Sequence, residues 1–354
     1  MPREYGWLPS PIDNTTNGLA SWHRGWLCPQ VTSGNLWYTN TVNEHDTSDL
    51  IMRGLIEGGR ARVVVATATH AVREMVARHR MIGVPAVALG RTAVAGLLLA
   101  TLTKDEEQVT LQVLGDGPVG GVTVDARSSG RVRGFVKRPH AMAWEPALAS
   151  EIRLSVGQAV GRKGVVGVIR DLGLAQNYSG QVAIESGEID EEVERYLIAS
   201  EQIDSMIRCE ALVDGEGMIS AAAGVLVQTL PQAHGAALVE FLRSTVAGPL
   251  FSTVLREALA EGRLEPEHIA KATLGQSADG MEVLDRREVQ FFCPCTRQRA
   301  ENTLGMLRPE DLKEMILETN AAEVTCNFCG IQYRFSEAEL ELIRRRHDKN
   351  RPQS

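Results

Sequence analysis

Phe291–Ala300 reads FFCPCTRQRA, and Glu323–Phe335 reads EVTCNFCGIQYRF. Four of the six cysteines of a 354-residue chain therefore lie in one short C-terminal stretch, as C-x-C, thirty intervening residues and C-x-x-C. A fold that brings the two pairs together can present four thiolates tetrahedrally, the arrangement Zn²⁺ favours at about 2.3 Å per sulfur. Cys293, Cys295, Cys326 and Cys329 are the candidate ligands of one zinc ion per chain. Gly330, just after the second pair, permits the tight turn of a metal knuckle. An iron–sulfur cluster is the alternative occupant, disfavoured because the spacing is unlike that of ferredoxins. Spacing alone leaves two roles open. One is a structural knuckle; the other is a redox switch, because C-x-C sets two thiolates almost adjacent, where they can oxidise as a pair.

Upstream of this module the texture changes. From His234 to Gln290 the pattern is helical, with Leu238, Leu242 and Val246 on one stripe, a break at Gly248-Pro249, and Phe251, Val254, Leu255 and Ala258 on a second stripe. Such a connector must dock its apolar faces on something. Before it, short alternating strands with glycine turns (QVTLQVL, GGVTVDA, RVRGFV, GVVGVIRD, GQVAIE) mix with helices. Arg62–Ala68 reads as a strand, and His70–His79 has helical spacing. VPAVALGRTAVAGLLLATLT is a helix apolar nearly all round, which belongs in a core. The expected fold is α+β, and the expected divisions are an irregular extension over 1–46, an α+β core with antiparallel sheet over 47–233, a helical linker over 234–290 and a small zinc-binding domain over 291–354.

Composition narrows the function. The net charge of −8 argues against a general nucleic-acid binder. No apolar run is long enough to span a bilayer, and no basic region followed by an apolar segment opens the chain, so the expected compartment is the cytosol. Thiols stay reduced there, which favours metal ligation or redox sensing over structural disulfides. A chain of this length does not need disulfides for stability.

Several motifs have ordinary explanations. GDGPVG, Gly115–Gly120, matches a dinucleotide fingerprint but continues into strand rather than opening a helix, so it reads as a turn. His70 and His79 are nine apart and share no helix face at ligand spacing. Cys209 reads as a small buried hydrophobe, and Cys28 lies in the extension as a potentially reactive thiol. IRRRHDK, Ile343–Lys349, suits either a nucleic-acid contact or the last turn of a helix, and the helix end is preferred.

The cysteine module, together with DLIMRGLIEGGRARVVVATAT, VPAVALGRTAVAGLLLATLTKDEEQVTLQVLGDGPVGGVTVDARSSGRVRGFV, GVVGVIRDLGLAQNYSGQVAIESGEIDEEVERYLIASEQ and AAAGVLVQTLPQA in that order, resembles the redox-regulated 33 kDa chaperonin family over about residues 47–345. The resemblance implies a non-enzymatic, ATP-independent holdase that binds unfolding client proteins under oxidative stress and forms a homodimer when oxidised. It implies zinc on the four cysteines in the reduced state, then disulfides Cys293–Cys295 and Cys326–Cys329 on activation. Pro294 restricts the backbone between the first two thiols and is expected to slow or strain that closure. The competing class is a zinc-ribbon regulator that binds nucleic acid. A metal-dependent enzyme is disfavoured because a closed four-thiolate set leaves no position for substrate.

The first 46 residues fall outside the resemblance and carry four of the five tryptophans: Trp7, Trp22, Trp26 and Trp37. Val42, readable from a GUG codon, precedes the first family-like element. Residues 1–41 are therefore expected to be a region translated upstream of the native start or a tail outside the switch. A tryptophan-rich binding arm is the competing reading.

Overall fold

The computed structural model describes residues 48–349, apart from 105–106, 152, 172, 174–177, 203 and 231–250. Cys28, the N-terminal tryptophans and the Leu238/Leu242/Val246 stripe lie outside the described residues. Strands β1 (Leu50–Ile56) and β2 (Ala61–Thr67) form a hairpin and lead into helices α1 (Thr69–Arg78) and α2 (Val84–Ala100). Then come β3 (Gln108–Gly115), β4 (Val122–Arg127), β5 (Arg131–Val136), the single turn α3 (Gly157–Val160), β6 (Gly164–Asp171) and β7 (Tyr178–Ala183). Helix α4 (Ile189–Glu201) precedes β8 (Ser205–Val213) and β9 (Ile219–Thr229). The turn read at Gly115–Gly120 joins antiparallel β3 and β4.

Two sheets sandwich α2. One has the order β10-β1-β2-β9-β8, the other β11-β5-β4-β3-β6-β7, where β10 is Glu282–Glu288 and β11 is Gln290–Phe291. Every residue of α2 is buried, as expected of a helix apolar on all sides. Two glycines set its depth. A Cβ on Gly90 would stand 2.7 Å from Ala211 Cβ on β8, and one on Gly96 would stand 3.0 Å from Val124 on β4. Larger residues there would push the sheets apart.

The five-stranded sheet is apolar on both faces, which explains the unbroken Val63-Val64-Val65-Ala66 run in β2. Side chains alternate between faces. Val64 and Ala66 join the core around α2, whereas Val63 and Val65 join a second cluster with Met52, Met206, Val225 and Val227. That second face is covered by α5 (Phe251–Ala260) and α6 (Pro266–Leu274), through Phe251, Leu255, Ile269 and Leu274. These two helices supply the docked stripe that the sequence pattern requires.

The segment read as helical through Gln290 differs at its end, because Glu282–Glu288 is β10, antiparallel to β1 in six register pairs. Its sequence EVLDRRE carries no strong strand signal, and the open edge of β1 imposes the conformation. Arg53 ion-pairs with Asp285 across this ladder. The Val289 amide then donates to Asp49 O at 2.9 Å, and β11 pairs in parallel with β5. Residues 282–292 thus form a strap along the edges of both sheets that ends beside Cys293.

The C-terminal module contains α7 (Arg297–Leu304), α8 (Pro309–Thr319), the hairpin β12 (Ala321–Thr325) and β13 (Gln332–Ser336), and α9 (Glu337–Lys349). Thr296 caps α7 by accepting the Arg299 amide at 3.2 Å. The module's core is small: Leu304, Leu312, Phe335, Leu340 and Ile343 with Ala300 and Ala322. The basic run in α9 is balanced within the chain, since Arg344 and Arg345 pair with Glu341 and Arg346 pairs with Glu301.

Candidate metal centre

Cys293 and Cys295 follow β11, and Cys326 and Cys329 occupy the turn between β12 and β13. In that turn the Cys326 amide donates to Ile331 O at 2.9 Å and the Gly330 amide to Cys326 O at 2.8 Å. Gly330 has φ of 72°, the left-handed region where a side chain is strained, so glycine suits the knuckle as its position in the sequence suggested. All four sulfurs lie within 4.8 Å of one another. Cys293 Sγ is 3.7 Å from Cys326 Sγ, and Cys295 Sγ is 3.2 Å from Cys329 Sγ. Four sulfurs about 2.3 Å from a tetrahedral centre would be about 3.8 Å apart, so the donor set and its spacing fit a metal such as zinc. Carboxylate and imidazole are absent from the set, and such all-sulfur sites favour soft or borderline metals over magnesium or calcium.

Groups around the sulfurs complete the centre. Tyr333 Oη donates to Cys295 Sγ at 3.3 Å, and this bond raises the tyrosine pKa to about 12. From the sheet below, Arg133 Nη1 points at Cys293 Sγ from 3.8 Å while its Nε and Nη2 bond Asp125 at 2.9 and 2.7 Å. The same guanidinium lies 3.9 Å from the centre of the Phe328 ring, and Phe135 meets that ring edge-on at 5.1 Å. His79 Nε2 is 3.2 Å from Phe328 O. Burial lowers the His79 pKa, opposed by that bond. The knuckle is therefore seated on α1 and β5 by one aromatic residue placed between its two cysteines.

His79 and His70 do different jobs, for His70 Nδ1 lies 3.4 Å from buried Asp49 instead. Cys209 is buried on β8, and burial raises its thiol pKa well above the usual value. Spacing alone did not reveal Arg133, Asp125, Tyr333 or Phe328. The last two stand inside the quoted motif, but nothing local tells which neighbouring aromatic turns toward the sulfurs. Outer hydrogen bonds to metal ligands are commonly worth about 10–100-fold in affinity. Tyr333→Phe is accordingly expected to weaken zinc binding by about that range in a chelator competition. An unchanged affinity would show that the Tyr333 bond does not support the ligand.

The family profile described as Hsp33 protein matches residues 49–336. The chain belongs to the Hsp33 family. Among its relatives, the 33 kDa chaperonin of Listeria monocytogenes serotype 4a (strain HCC23) is 36% identical over 296 residues, covering 84% of this chain and 98% of the relative. That of Lacticaseibacillus casei (strain BL23) is 35% identical, covering 85% of this chain and all of the relative. The crystal structure of the Thermotoga maritima 33 kDa chaperonin, a heat shock protein 33 homologue, superposes with a TM-score of 0.74 at 30% identity, covering 86% of this chain and 100% of that one. The resemblance first seen in the cysteine spacing and the ordered core segments is thus shown for the Hsp33 family. Among the described residues, no helix is long and apolar enough to cross a membrane.

Proposed function

We propose that this Hsp33 member is a cytosolic, ATP-independent holdase, switched on when its four clustered thiolates are oxidised. The observation that carries the reading is the continuity of the chain from α5 and α6, which cover an apolar sheet face, through the strap 282–292 to Cys293. In the reduced state Cys293, Cys295, Cys326 and Cys329 hold zinc, which supplies a cross-link between the strap and the knuckle. Hydrogen peroxide takes two electrons from each pair of thiolates and, with two protons from solvent, leaves one disulfide and two waters. Cys293 then pairs with Cys295 and Cys326 with Cys329, as the family resemblance implies. Contacts of 3.7 Å for Cys293–Cys326 and 3.2 Å for Cys295–Cys329 link the two pairs in the folded knuckle, and the proposed pairing forms as that knuckle opens. Closure of Cys326–Cys329 joins thiols close in sequence, whereas Pro294 is expected to slow or strain closure of Cys293–Cys295.

With the sulfurs oxidised, the module and strap lose their anchor, and α5 and α6 can leave the sheet face they cover. Met52, Val63, Val65, Val225 and Val227 then offer apolar surface to unfolding client proteins. Oxidised chains are proposed to pair as homodimers. Nothing in this scheme requires an enzymatic step or a membrane. The zinc-ribbon regulator reading loses support because the α9 arginines are paired with Glu341 and Glu301.

The test measures zinc content and suppression of client aggregation on one sample, before and after peroxide at a mildly unfolding temperature. The reduced form is expected to hold about one zinc per chain and to suppress poorly; the oxidised form is expected to have lost zinc and to suppress strongly. Equal suppression by both forms would overturn the redox switch.

A further inference from the structure

Beside the cysteine cluster, on the outer face of the six-stranded sheet, a cavity of about 220 Å³ is lined by Arg127, Arg131, Arg133 and Arg299, with Asp125 as the one carboxylate among the described residues. Pro294 and Phe292, the neighbours of Cys293, complete the wall with Gln108 and Val132. Three of the arginines come from β4 and β5, where alternate residues 131 and 133 share a face. The fourth comes from the first turn of α7, so the cavity is shared between the core and the cysteine module.

Among the described residues, four guanidinium groups thus line the cavity with one carboxylate, and Arg127 is engaged there by Gln108 at 3.5 Å. Asp125 is already engaged by Arg133 and by the Thr110 hydroxyl at 2.6 Å. Arg131 lies over the Phe292 ring at 4.6 Å, and Arg299 donates to Pro294 O at 2.9 Å. Among the described residues neither has a carboxylate partner. Arg131 and Arg299, whose guanidinium forks line the same small space, match a tetrahedral oxyanion, which can accept two parallel N–H bonds from one fork.

We infer that this cavity is a binding site for a small oxyanion of the phosphate or sulfate class, held jointly by the core arginines and Arg299 of the cysteine module. Its volume is below that of the usual organic-ligand pocket, roughly 300–1,000 Å³, which favours an inorganic anion. Single-strand binding commonly stacks successive bases on several aromatic rings, whereas Phe292, with Arg131 over its ring, is the one aromatic residue lining this cavity among the described residues. Because the site is whole only while the module is docked, its anion stabilises the docked state by mass action. That consequence for the switch rests on the proposed redox function; anion binding itself does not.

Inorganic phosphate is the probe, titrated calorimetrically into the reduced, zinc-loaded full chain at low ionic strength. One saturable site per chain is expected. Arg131→Gln and Arg299→Gln should each weaken it about tenfold or more, since a charge-assisted bond is lost. Arg345→Gln, outside the cavity, should leave it unchanged, and circular dichroism checks that each variant is folded. Absence of saturable binding at millimolar phosphate, or folded variants that bind as the parent does, would overturn the site. A single-stranded oligonucleotide that binds more tightly than phosphate through the same arginines would overturn the small-anion assignment. In a second measurement, phosphate should slow peroxide-driven zinc release from the parent but not from Arg299→Gln. Saturable phosphate binding with an unchanged release rate would reject the coupling and leave the anion site standing.

Discussion

Replacing Cys329 by serine is expected to abolish zinc binding in the reduced chain and to unfold α7, α8, the β12–β13 hairpin and α9, while the two-sheet core stays folded. The apolar core of the module has seven buried residues, two of them alanines, with Leu307, Met315, Ile316, Val324 and Tyr333 only partly buried against them. Structural zinc typically contributes about 10–16 kcal/mol of apparent folding free energy at neutral pH. A typical whole domain has only about 5–15 kcal/mol. Loss of one thiolate from a closed four-sulfur set therefore removes more than so small a core can replace. Hydrogen exchange over residues 297–349 provides the measurement, alongside zinc content. Native protection of these helices in Cys329→Ser would show that the module folds without its metal. The same variant, kept reduced, should suppress aggregation more than the reduced parent does, because it enters the undocked state without an oxidant.

A second large effect is expected inside the core. Arg91, in the middle of α2, is fully buried; its Nε donates to Glu210 Oε1 at 2.8 Å and its Nη1 to Glu188 Oε2 at 2.9 Å. Nη2 is also close to Glu210, at 2.6 Å, but too poorly aligned for a hydrogen bond. Arg153 adds a second cation, bonded to Asp190 at 2.6 Å. Arg91→Met keeps most of the volume but takes from Glu188 and Glu210 the nearer and hydrogen-bonded of their two shared cations, leaving only Arg153, at 3.7 and 3.8 Å. Breaking a buried ion pair from one side commonly costs about 3–5 kcal/mol, and the core's stability should fall by that amount.

The loss should depend on pH. Burial already raises the Glu210 pKa, with Arg91 pulling it back in part, so removing the arginine raises it further. A carboxyl with a raised folded-state pKa binds more protons folded than unfolded, so stability falls as pH rises from its unfolded value, about 4.3, through the folded one. Denaturant unfolding of Arg91→Met should show a smaller deficit near pH 5 than near pH 8, and adding Glu210→Gln should recover part of it. A deficit independent of pH would mean that the cost arises from packing rather than charge.

The contrast between these two sites shows what local sequence can carry. The cysteine cluster was legible because each half is a pair of ligands one or two residues apart, and the metal's demand for four sulfurs supplies the long-range link. Helix α2 was legible as a core element because apolarity on all sides leaves it nowhere else to go. Arg91 was not: its partners lie 97 and 119 residues away, and in the sequence it is one charge in an apolar run. The seat of the knuckle was hidden for the same reason, since His79 and Phe328 are 249 residues apart. Strand β10 was misjudged because its conformation belongs to its neighbour β1 rather than to its own residues.

The two ladders of the strap differ in length and sense. Next to Cys293, only Gln290 and Phe291 pair with β5, in parallel; beyond Val289, six pairs of β10 hold β1 in the antiparallel sense. Tension applied from the cysteine end would peel the short ladder first and stall at the long one. An opening chain would thus pass through a half-open stage in which the backbone edge of β5 is bare while α5 and α6 still cover their sheet. Bare strand edges accept extended polypeptide by hydrogen bonding, whatever its side chains. The order of unpeeling would then give this protein two successive modes of grip, first on backbone and later on apolar side chains.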